Sequence, residues 1–208
     1  MLIRKFLIAG GNKTALIQGE VARISPKLVK GFDQIGFIDT KDMPDLHMFG
    51  DELCINATLA FASILKKSGK LKTTGISKPV QFRNLKEKTE IKLEIPFKKK
   101  GKVVLFDGIG YILASKKEKK VFGKKEIKEL CKKYGLPAFG GIVFEENYIT
   151  PYVYVAKAGT FIKENSCGSG SIAFYIATGK SAVVQPTGET MEVKGKKKFT
   201  ISASVKEL

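Results

Sequence analysis

The sequence predicts an α+β fold with two pseudo-symmetric half-domains, each a curved, mostly antiparallel sheet around a central helix. The main reason is a repeat: the stretch that begins at Cys54 is matched by the stretch that begins at Cys167, 113 residues later. Each cysteine is followed by small residues and then by an apolar run, which is typical of a buried helix. Most of the remaining chain consists of short β-prone runs between glycine-containing turns. We therefore predict half-domains of residues 1–100 and 101–208.

The two copies of the repeat also agree after the cysteines. Asn56 matches Ser169, and the pair Ala60-Phe61 matches Ala173-Phe174. Small capping residues before an apolar run place each cysteine at or just before a helix N-terminus. Because unpaired N–H groups and the positive end of the helix dipole lie there, we expect each helix to lower the pKa of its thiol and to bind a carboxylate. The alternative is that both cysteines are small core residues, which is the common role of free cysteines.

In the first half, turn residues and apolar periodicity set the element boundaries. Ser25 and Pro26 predict the start of a short helix that ends at Gly31, and residues 73–79 are predicted to form a loop because they contain glycine and proline. The predicted strands of this half are 2–8, 14–20, 34–39, 45–49 and 90–95, and its cysteine helix runs to about residue 67.

The second half is predicted to repeat this plan. Residues 124–134 carry the apolar stripe of a helix, Gly135 ends it, and Cys131 lies in the stripe as a core residue. A strand, an acidic turn, a second strand and a glycine then lead into the Cys167 helix, as in the first half. The predicted strands of this half are 103–106, 108–114, 141–145 and 152–155, with three short strands from residue 183 onward.

Composition limits the classes of partner. The 208 residues are 43% hydrophobic and 27% charged, as in ordinary globular proteins, and no apolar run is long enough for a transmembrane helix. Three widely spaced cysteines argue against a disulfide framework and favour a cytoplasmic location. The net charge of +17 is carried mainly by lysine, and only three arginines are present. Without a nucleic-acid-binding motif we do not expect a nucleic-acid partner; attraction of anionic substrates stays an alternative.

The residues that favour metal or cofactor binding are largely missing. His47 is the only histidine, and the cysteines show no C-x-x-C spacing, so a zinc site is not expected. The glycine-rich segments match neither a dinucleotide-binding loop nor a Walker loop. The sequence therefore predicts no metal and no cofactor.

Several short segments together resemble the diaminopimelate epimerase family of cofactor-independent amino-acid racemases. Gly10-Gly11-Asn12 is similar to that family's Gly-Asn turn, and the segment from Gly31 to Ile35 is similar to its Gly-x-Asp-Gln segment. Cys54-Ile55-Asn56-Ala57 and Cys167-Gly168-Ser169-Gly170 resemble its two active-site turns. Residues 149–155 and 184–189 look closer to the histidine racemases of this family.

The resemblance implies a racemase or epimerase that acts on a small amino-acid substrate without pyridoxal phosphate. It implies that Cys54 and Cys167 act as acid and base at Cα. It also implies a set of substrate-binding residues: Asn12, Gln34, Ile55, Asn56, Gly168 and Ser169. A homodimer is compatible with this interpretation, and the sequence does not decide it.

Departures from the family pattern keep alternatives open. Ile55 replaces a glycine, Leu59 replaces an arginine, and the segments that hold the distal end of diaminopimelate are missing, so we expect another substrate. One alternative is a related isomerase, similar to the phenazine-biosynthesis family, in which an acid replaces the thiols. Another is an inactive ligand-binding or nucleic-acid-associated protein, which Ile55 and the net charge favour. The presence of both thiols favours the racemase.

Overall fold

The computed structural model describes residues 2–19 and 31–208, which form one continuous 17-stranded mixed sheet and three α-helices. The short helix predicted from Ser25 lies outside the described residues. The helices are α1 (Ile55–Ser63), α2 (Lys124–Tyr134) and α3 (Gly168–Thr178). Among the described residues no helix is both long enough and apolar enough to cross a membrane.

The strands are short and follow one another closely along the chain. They are β1 (Leu2–Ile8), β2 (Asn12–Gln18), β3 (Gln34–Asp39), β4 (Asp45–Met48), β5 (Ser68–Thr73), β6 (Ile76–Asn84), β7 (Thr89–Glu94), β8 (Phe97–Lys100), β9 (Val103–Phe106), β10 (Ile109–Ser115), β11 (Ala138–Glu145), β12 (Tyr148–Val155), β13 (Thr160–Lys163), β14 (Ala182–Val184), β15 (Thr190–Gly195), β16 (Lys198–Ala203) and β17 (Val205–Glu207).

Strand pairing repeats in the two parts of the chain and confirms the predicted fold class. Around α1, β2 and β3 pair in parallel, and so do β4 and β5. Around α3, β10 and β11 pair in parallel, and so do β12 and β14. The other pairings between the described strands are antiparallel, and β7 pairs with β16 to join the two parts. The last strand, β17, pairs with β1. The division of the chain at residue 100 stays a prediction.

The two cysteine helices are buried on all sides. Residues 55–62 of α1 and 168–174 of α3 are all buried, as expected for helices without a polar face. Each large apolar side chain in them, such as Phe61 or Phe174, contributes about 1.5–3 kcal/mol through burial. By contrast, α2 buries only Ile127 and Cys131, which pack in a separate cluster with Phe139. The prediction that Cys131 is a core residue is confirmed.

Helix α1 ends earlier than the sequence predicted. It stops at Ser63 rather than near residue 67, and the side-chain amide of Asn84 donates to the carbonyl oxygens of Ala62 (2.8 Å) and Lys66 (3.1 Å). Because Asn84 lies on β6, this stop signal comes from a distant part of the chain. The Asn84 amide gives these carbonyl groups a donor that further helical N–H groups would otherwise supply.

The predicted loop at residues 73–79 is also wrong, because these residues fall largely within the β5–β6 hairpin. Pro79 is tolerated there because β6 pairs with β7 only from Gln81 onward, so the missing N–H does not interrupt that ladder. Four strands, not three, follow α3. The fourth strand is β17, which pairs with β1 at the other end of the chain.

We predict that Asn84→Ala destabilises the protein by about 1–2 kcal/mol, because the carbonyls of Ala62, in the last turn of α1, and of Lys66, just beyond it, each lose the hydrogen bond from the Asn84 amide. Urea unfolding measures the effect. Gln81→Ala, at an exposed position on the same strand, is the matched control and should change the free energy of unfolding little. Equal stability of Asn84→Ala and wild type would show that the amide does not stabilise the helix end.

Candidate active site

Both cysteines are helix N-caps, as the repeat predicted. Cys54 precedes α1 and Cys167 precedes α3, each in an extended backbone conformation. Four residues later, the hydroxyl of Thr58 donates to the Cys54 carbonyl and the hydroxyl of Ser171 donates to the Cys167 carbonyl, each at 2.7 Å. The repeat therefore reproduces the local hydrogen bonding as well as the residue types.

The N-termini of the two helices meet. The side-chain oxygen of Asn56 accepts the Gly168 N–H at 3.0 Å, and its side-chain nitrogen donates to the Ser166 carbonyl at 3.0 Å. Ile55 packs over the same glycine: a Cβ atom at position 168 would lie 2.5 Å from Ile55 Cγ2. Only glycine therefore fits opposite Ile55, and the two cysteines are held at one junction.

The Cys54 thiol is surrounded by amide and hydroxyl groups. Its Sγ donates to Gln34 Oε1 at 2.8 Å and accepts the Ala57 N–H at 3.2 Å. Thr14 Oγ1 lies 3.5 Å from the same Gln34 oxygen and donates to Asn12 Oδ1 at 2.8 Å. Asn12, Gln34 and Cys54, predicted separately from three segments, are thus connected through Thr14.

The Cys167 thiol has a different set of neighbours. The hydroxyl oxygen of Tyr111, which is fully buried, lies 3.3 Å from Cys167 Sγ and 2.7 Å from Ser169 Oγ. Gln185 fixes the backbone of this turn, since its side-chain oxygen accepts the Cys167 N–H at 2.9 Å.

Glu164 connects the surroundings of the two thiols. The Gln34 amide donates to Glu164 Oε1 at 3.1 Å, and the same amide group accepts from Cys54. The carboxyl of Glu164 also lies beside Cys167, where it raises the pKa of that thiol. A polar path therefore runs from Cys54 through Gln34 and Glu164 to Cys167.

A cleft reaches this path from the surface. It is narrow, with a cavity volume of about 20 Å³, which is room for about one water molecule, and leucine, isoleucine and valine side chains form much of its wall. Its main polar lining residues are Asp33, Gln34, Glu52, Tyr111, Glu164 and Ser169. The two sulfur atoms are not part of its surface: Cys54 and Cys167 are each 2% exposed, behind side chains that line the cleft.

Three buried polar atoms in this region have no hydrogen-bond partner among residues 2–19 and 31–208. They are Asn12 Nδ2, Glu52 Oε2 and Glu164 Oε2. Unpaired buried polar atoms are rare in folded proteins because each loses its hydration without compensation. Two of them, on Glu52 and Glu164, belong to side chains that line the cleft, which makes the cleft a candidate ligand site.

Burial dominates the ionisation of the site. It raises the pKa of both thiols well above the ordinary value, and Glu52 at Cys54 and Glu164 at Cys167 raise these pKa values further. Burial likewise raises the pKa of Glu164 to about 8. The prediction that the helix N-termini lower the thiol pKa values is wrong for this arrangement. The N–H groups of Ala57 and Gly170 do lower them, but desolvation is the larger effect.

The structure brings all the residues of the predicted site to one region. Gly168 already donates its N–H to Asn56, whereas the N–H groups of Ile55, Asn56 and Ser169 have no partner among the described residues. The individual roles of these residues in binding and catalysis stay predictions. His47 lies away from the site, on β4, where it pairs with Asp51. No group of metal-binding side chains occurs in the part of the chain that the structure describes.

Sequence reasoning missed Glu52 and Tyr111 and gave Glu164 no role. An acid precedes each cysteine by two or three residues, and this signal could have identified Glu52 and Glu164. Nothing local distinguishes Tyr111 from a core tyrosine, since its position beside Cys167 depends on sheet pairing.

The chain is similar in sequence to two histidine racemases. No family model matches the chain. A histidine racemase from Fusobacterium nucleatum subsp. nucleatum strain ATCC 25586 is 32% identical over 86% of this chain and 83% of its own length. A histidine racemase from strain ATCC 23726 of the same subspecies is 30% identical over 86% of this chain and 84% of its own length.

Solved structures share the fold at low identity. A predicted epimerase from Pseudomonas aeruginosa superposes with a TM-score of 0.68 at 11% identity, covering 99% of this chain and 96% of its own. A phenazine biosynthesis PhzC/PhzF protein from Clostridium difficile strain 630 superposes with a TM-score of 0.59 at 13% identity, covering 99% and 97%. With the histidine racemases as relatives, the chain belongs to the diaminopimelate epimerase-like family of cofactor-independent racemases and epimerases, near the histidine racemases, and is an isomerase.

Proposed function

We propose that the protein is an amino-acid racemase in which Cys54 and Cys167 act as the acid and base on opposite faces of the substrate Cα. The observation that carries this proposal is the junction of two helix N-termini, each capped by a thiol, next to a cleft. Histidine is the first substrate to test, because relatives at 30% and 32% identity are histidine racemases.

The chain offers complementary groups for the two charged ends of an amino acid. The N–H groups of Ile55, Asn56 and Ser169, at the positive ends of α1 and α3, suit the α-carboxylate. The unpaired oxygen of Glu164 suits the α-ammonium group. Together they would hold Cα at the junction of the helices. Because the sulfur atoms lie behind cleft-lining side chains, substrate binding has to displace some of these, Gln34 and Ser169 first.

The proton transfers balance with one thiolate and one thiol. The thiolate removes the α-proton and becomes a thiol, while the other thiol gives its proton to the opposite face and becomes the thiolate. Burial raises the pKa of both thiols, so an isolated thiolate is unfavourable here. The substrate ammonium group brings in positive charge that offsets this cost. Positioned acid–base groups contribute about 10²–10⁴-fold each, and the helix N-termini stabilise the carbanion charge.

A second candidate is an isomerase in which Glu164 is the acid–base group. The observation that favours it is the pKa of Glu164, raised to about 8 by burial, which suits proton transfer near neutral pH. The cysteine variants below separate the two candidates. A homodimer and a cytoplasmic location stay predictions.

We predict that Cys54→Ala and Cys167→Ala each lower racemisation by at least about 10²–10⁴-fold while the protein stays folded. Amino acids incubated in D₂O, with Cα–H loss followed by NMR and enantiomers separated by chromatography, measure both exchange and inversion. Cys131→Ser is the matched control: this buried thiol lies outside the site, and serine can keep the hydrogen bond to the Leu136 carbonyl.

Inversion with α-exchange in either alanine variant would contradict the two-thiol scheme. If both cysteine variants kept α-exchange and only Glu164→Gln lost it, the isomerase that uses Glu164 as its acid–base group would be favoured instead.

We predict that Tyr111→Phe shifts the pH profile for the enantiomer that Cys167 deprotonates. The Tyr111 hydroxyl lowers the pKa of Cys167 by donating to the thiolate, so its removal raises that pKa and moves the active limb to higher pH. Profiles of kcat measured from each enantiomer show the shift, because kcat, unlike kcat/KM, can differ between the two directions of a racemisation. Equal shifts for both enantiomers, or none, would show that Tyr111 has only a packing role.

We predict that Glu164→Gln stabilises the protein more at pH 8.5 than at pH 5. The pKa of Glu164 is about 8 when folded and 4.5 ordinarily, so between these values the folded state holds a proton that the unfolded state has released. Stability therefore falls as pH rises through this window, by on the order of 2–4 kcal/mol, and glutamine removes the loss.

Urea unfolding at both pH values measures this difference. Glu129→Gln, at an exposed position on α2, is the control and should have the same effect at both. An effect of Glu164→Gln that does not change with pH would contradict the assignment.

A further inference from the structure

Glu52 is a buried acid that the proposed proton transfers do not use. It is only 7% exposed, it lines the same cleft as Glu164, and its Oε2 atom has no partner among residues 2–19 and 31–208. Leaving a carboxylate oxygen buried and unpaired costs stability. A ligand that donates a hydrogen bond to this oxygen would remove that cost.

Two basic side chains at this turn, Lys157 and His47, contact Asp51 and form no hydrogen bond or ion pair with Glu52 in the described chain. Lys157 donates to Asp51 at 3.0 Å, and His47 lies 3.1 Å from the other oxygen of the same carboxylate. Asp51 is about half exposed and faces outward, whereas the adjacent Glu52 lines the cleft. The two neighbouring acids therefore have different roles, and only Glu52 is placed to meet a ligand.

The backbone is shaped to hold the Glu52 carboxyl in place. A Cβ atom at position 50 would lie 2.4 Å from Glu52 Oε2, so glycine leaves the space that this oxygen occupies. Val155 closes the other side of the same space, 2.4 Å from that Cβ position. Any other residue at position 50 would displace either the carboxyl or the valine.

The cleft thus carries two separate buried carboxyls. Glu164 belongs to the polar path between the thiols, while Glu52 forms no hydrogen bond with either thiol. Val153, Val155 and Ile162 supply apolar wall. Two carboxyls and an apolar wall match an amino acid that has a second nitrogen at the end of a hydrocarbon side chain.

We propose that Glu52 binds a protonated side-chain nitrogen of the substrate and so selects basic amino acids over neutral ones of the same shape. This inference rests on the proposed racemase function, in which Glu164 receives the α-ammonium group. The chemical class comprises lysine, ornithine and, through its ring N–H, histidine.

The test compares lysine with norleucine, which has the same side-chain length but ends in a methyl group. In the wild type, kcat/KM should be at least about 10-fold higher for lysine, ornithine or histidine than for norleucine. Glu52→Gln should lower kcat/KM for the basic substrates relative to norleucine by about 10- to 100-fold, the effect of losing a charge-assisted hydrogen bond. The comparison with norleucine is needed because the loss of Glu52 also changes the pKa of Cys54, which acts on every substrate alike. Glu52→Asp should restore part of the preference.

Asp51→Asn is the matched control, since it neutralises the adjacent outward-facing acid, and asparagine tolerates the positive φ of 60° at this position. It should leave the preference for basic substrates unchanged. Equal losses for lysine and norleucine in Glu52→Gln, or a wild-type preference for norleucine, would overturn the inference.

Binding measured without turnover separates this inference from the proposed function. Equilibrium dialysis of wild type and Glu52→Gln with lysine or norleucine requires no catalysis. Tight binding of lysine that Glu52→Gln weakens, without racemisation of any amino acid, would support the Glu52 site and contradict the racemase. If lysine and norleucine were racemised equally well and bound equally tightly, the racemase would be supported and the Glu52 site contradicted.

Discussion

The contact between Asn56 and the turn at Gly168 is the interaction on which the rest of the site depends. One buried amide satisfies a donor and an acceptor of the opposite helix turn, and Ile55 packs on the glycine beside it. Because both groups are in the core, separating the helices would leave an amide, an N–H and a carbonyl unpaired. The relative position of the two thiols is therefore set by core packing and not by mobile loops, which is what an acid–base pair on either side of one carbon needs.

The surface of the molecule is basic, whereas its cleft is lined by acidic side chains. The net charge is +17, yet the ionisable side chains that line the cleft include the acids Asp33, Glu52 and Glu164, and no lysine or arginine in the described chain lines it. Exposed charges are screened over roughly 8–10 Å in physiological salt, whereas buried groups are screened much less. The local acids therefore decide what binds in the cleft, and the net charge is a poor guide to the ligand.

Local patterns predicted the parts of the structure that local forces determine. The stripe of α2 and its stop at Gly135 placed that helix correctly at Lys124–Tyr134, and the repeat placed both cysteines at N-caps. The end of α1 could not be predicted, because Asn84 supplies it from a distant strand. The sign of the thiol pKa shifts was missed for a similar reason: the helix dipole can be inferred from sequence, but complete burial and the adjacent acids follow from tertiary packing.

The two copies of the repeat have diverged around their thiols. The equilibrium between enantiomers limits the roles that this asymmetry can have. Cys54 contacts an amide, whereas Cys167 contacts a phenol and a carboxyl. Enantiomers of a free amino acid have equal free energies in water, so no arrangement of the site can favour one of them at equilibrium. Unequal surroundings can change the individual kcat and KM values for each enantiomer, but kcat/KM must be the same in the two directions. In the proposed racemase, the asymmetry would therefore serve to orient a substrate whose groups differ, with the ammonium group on the Glu164 side of the cleft.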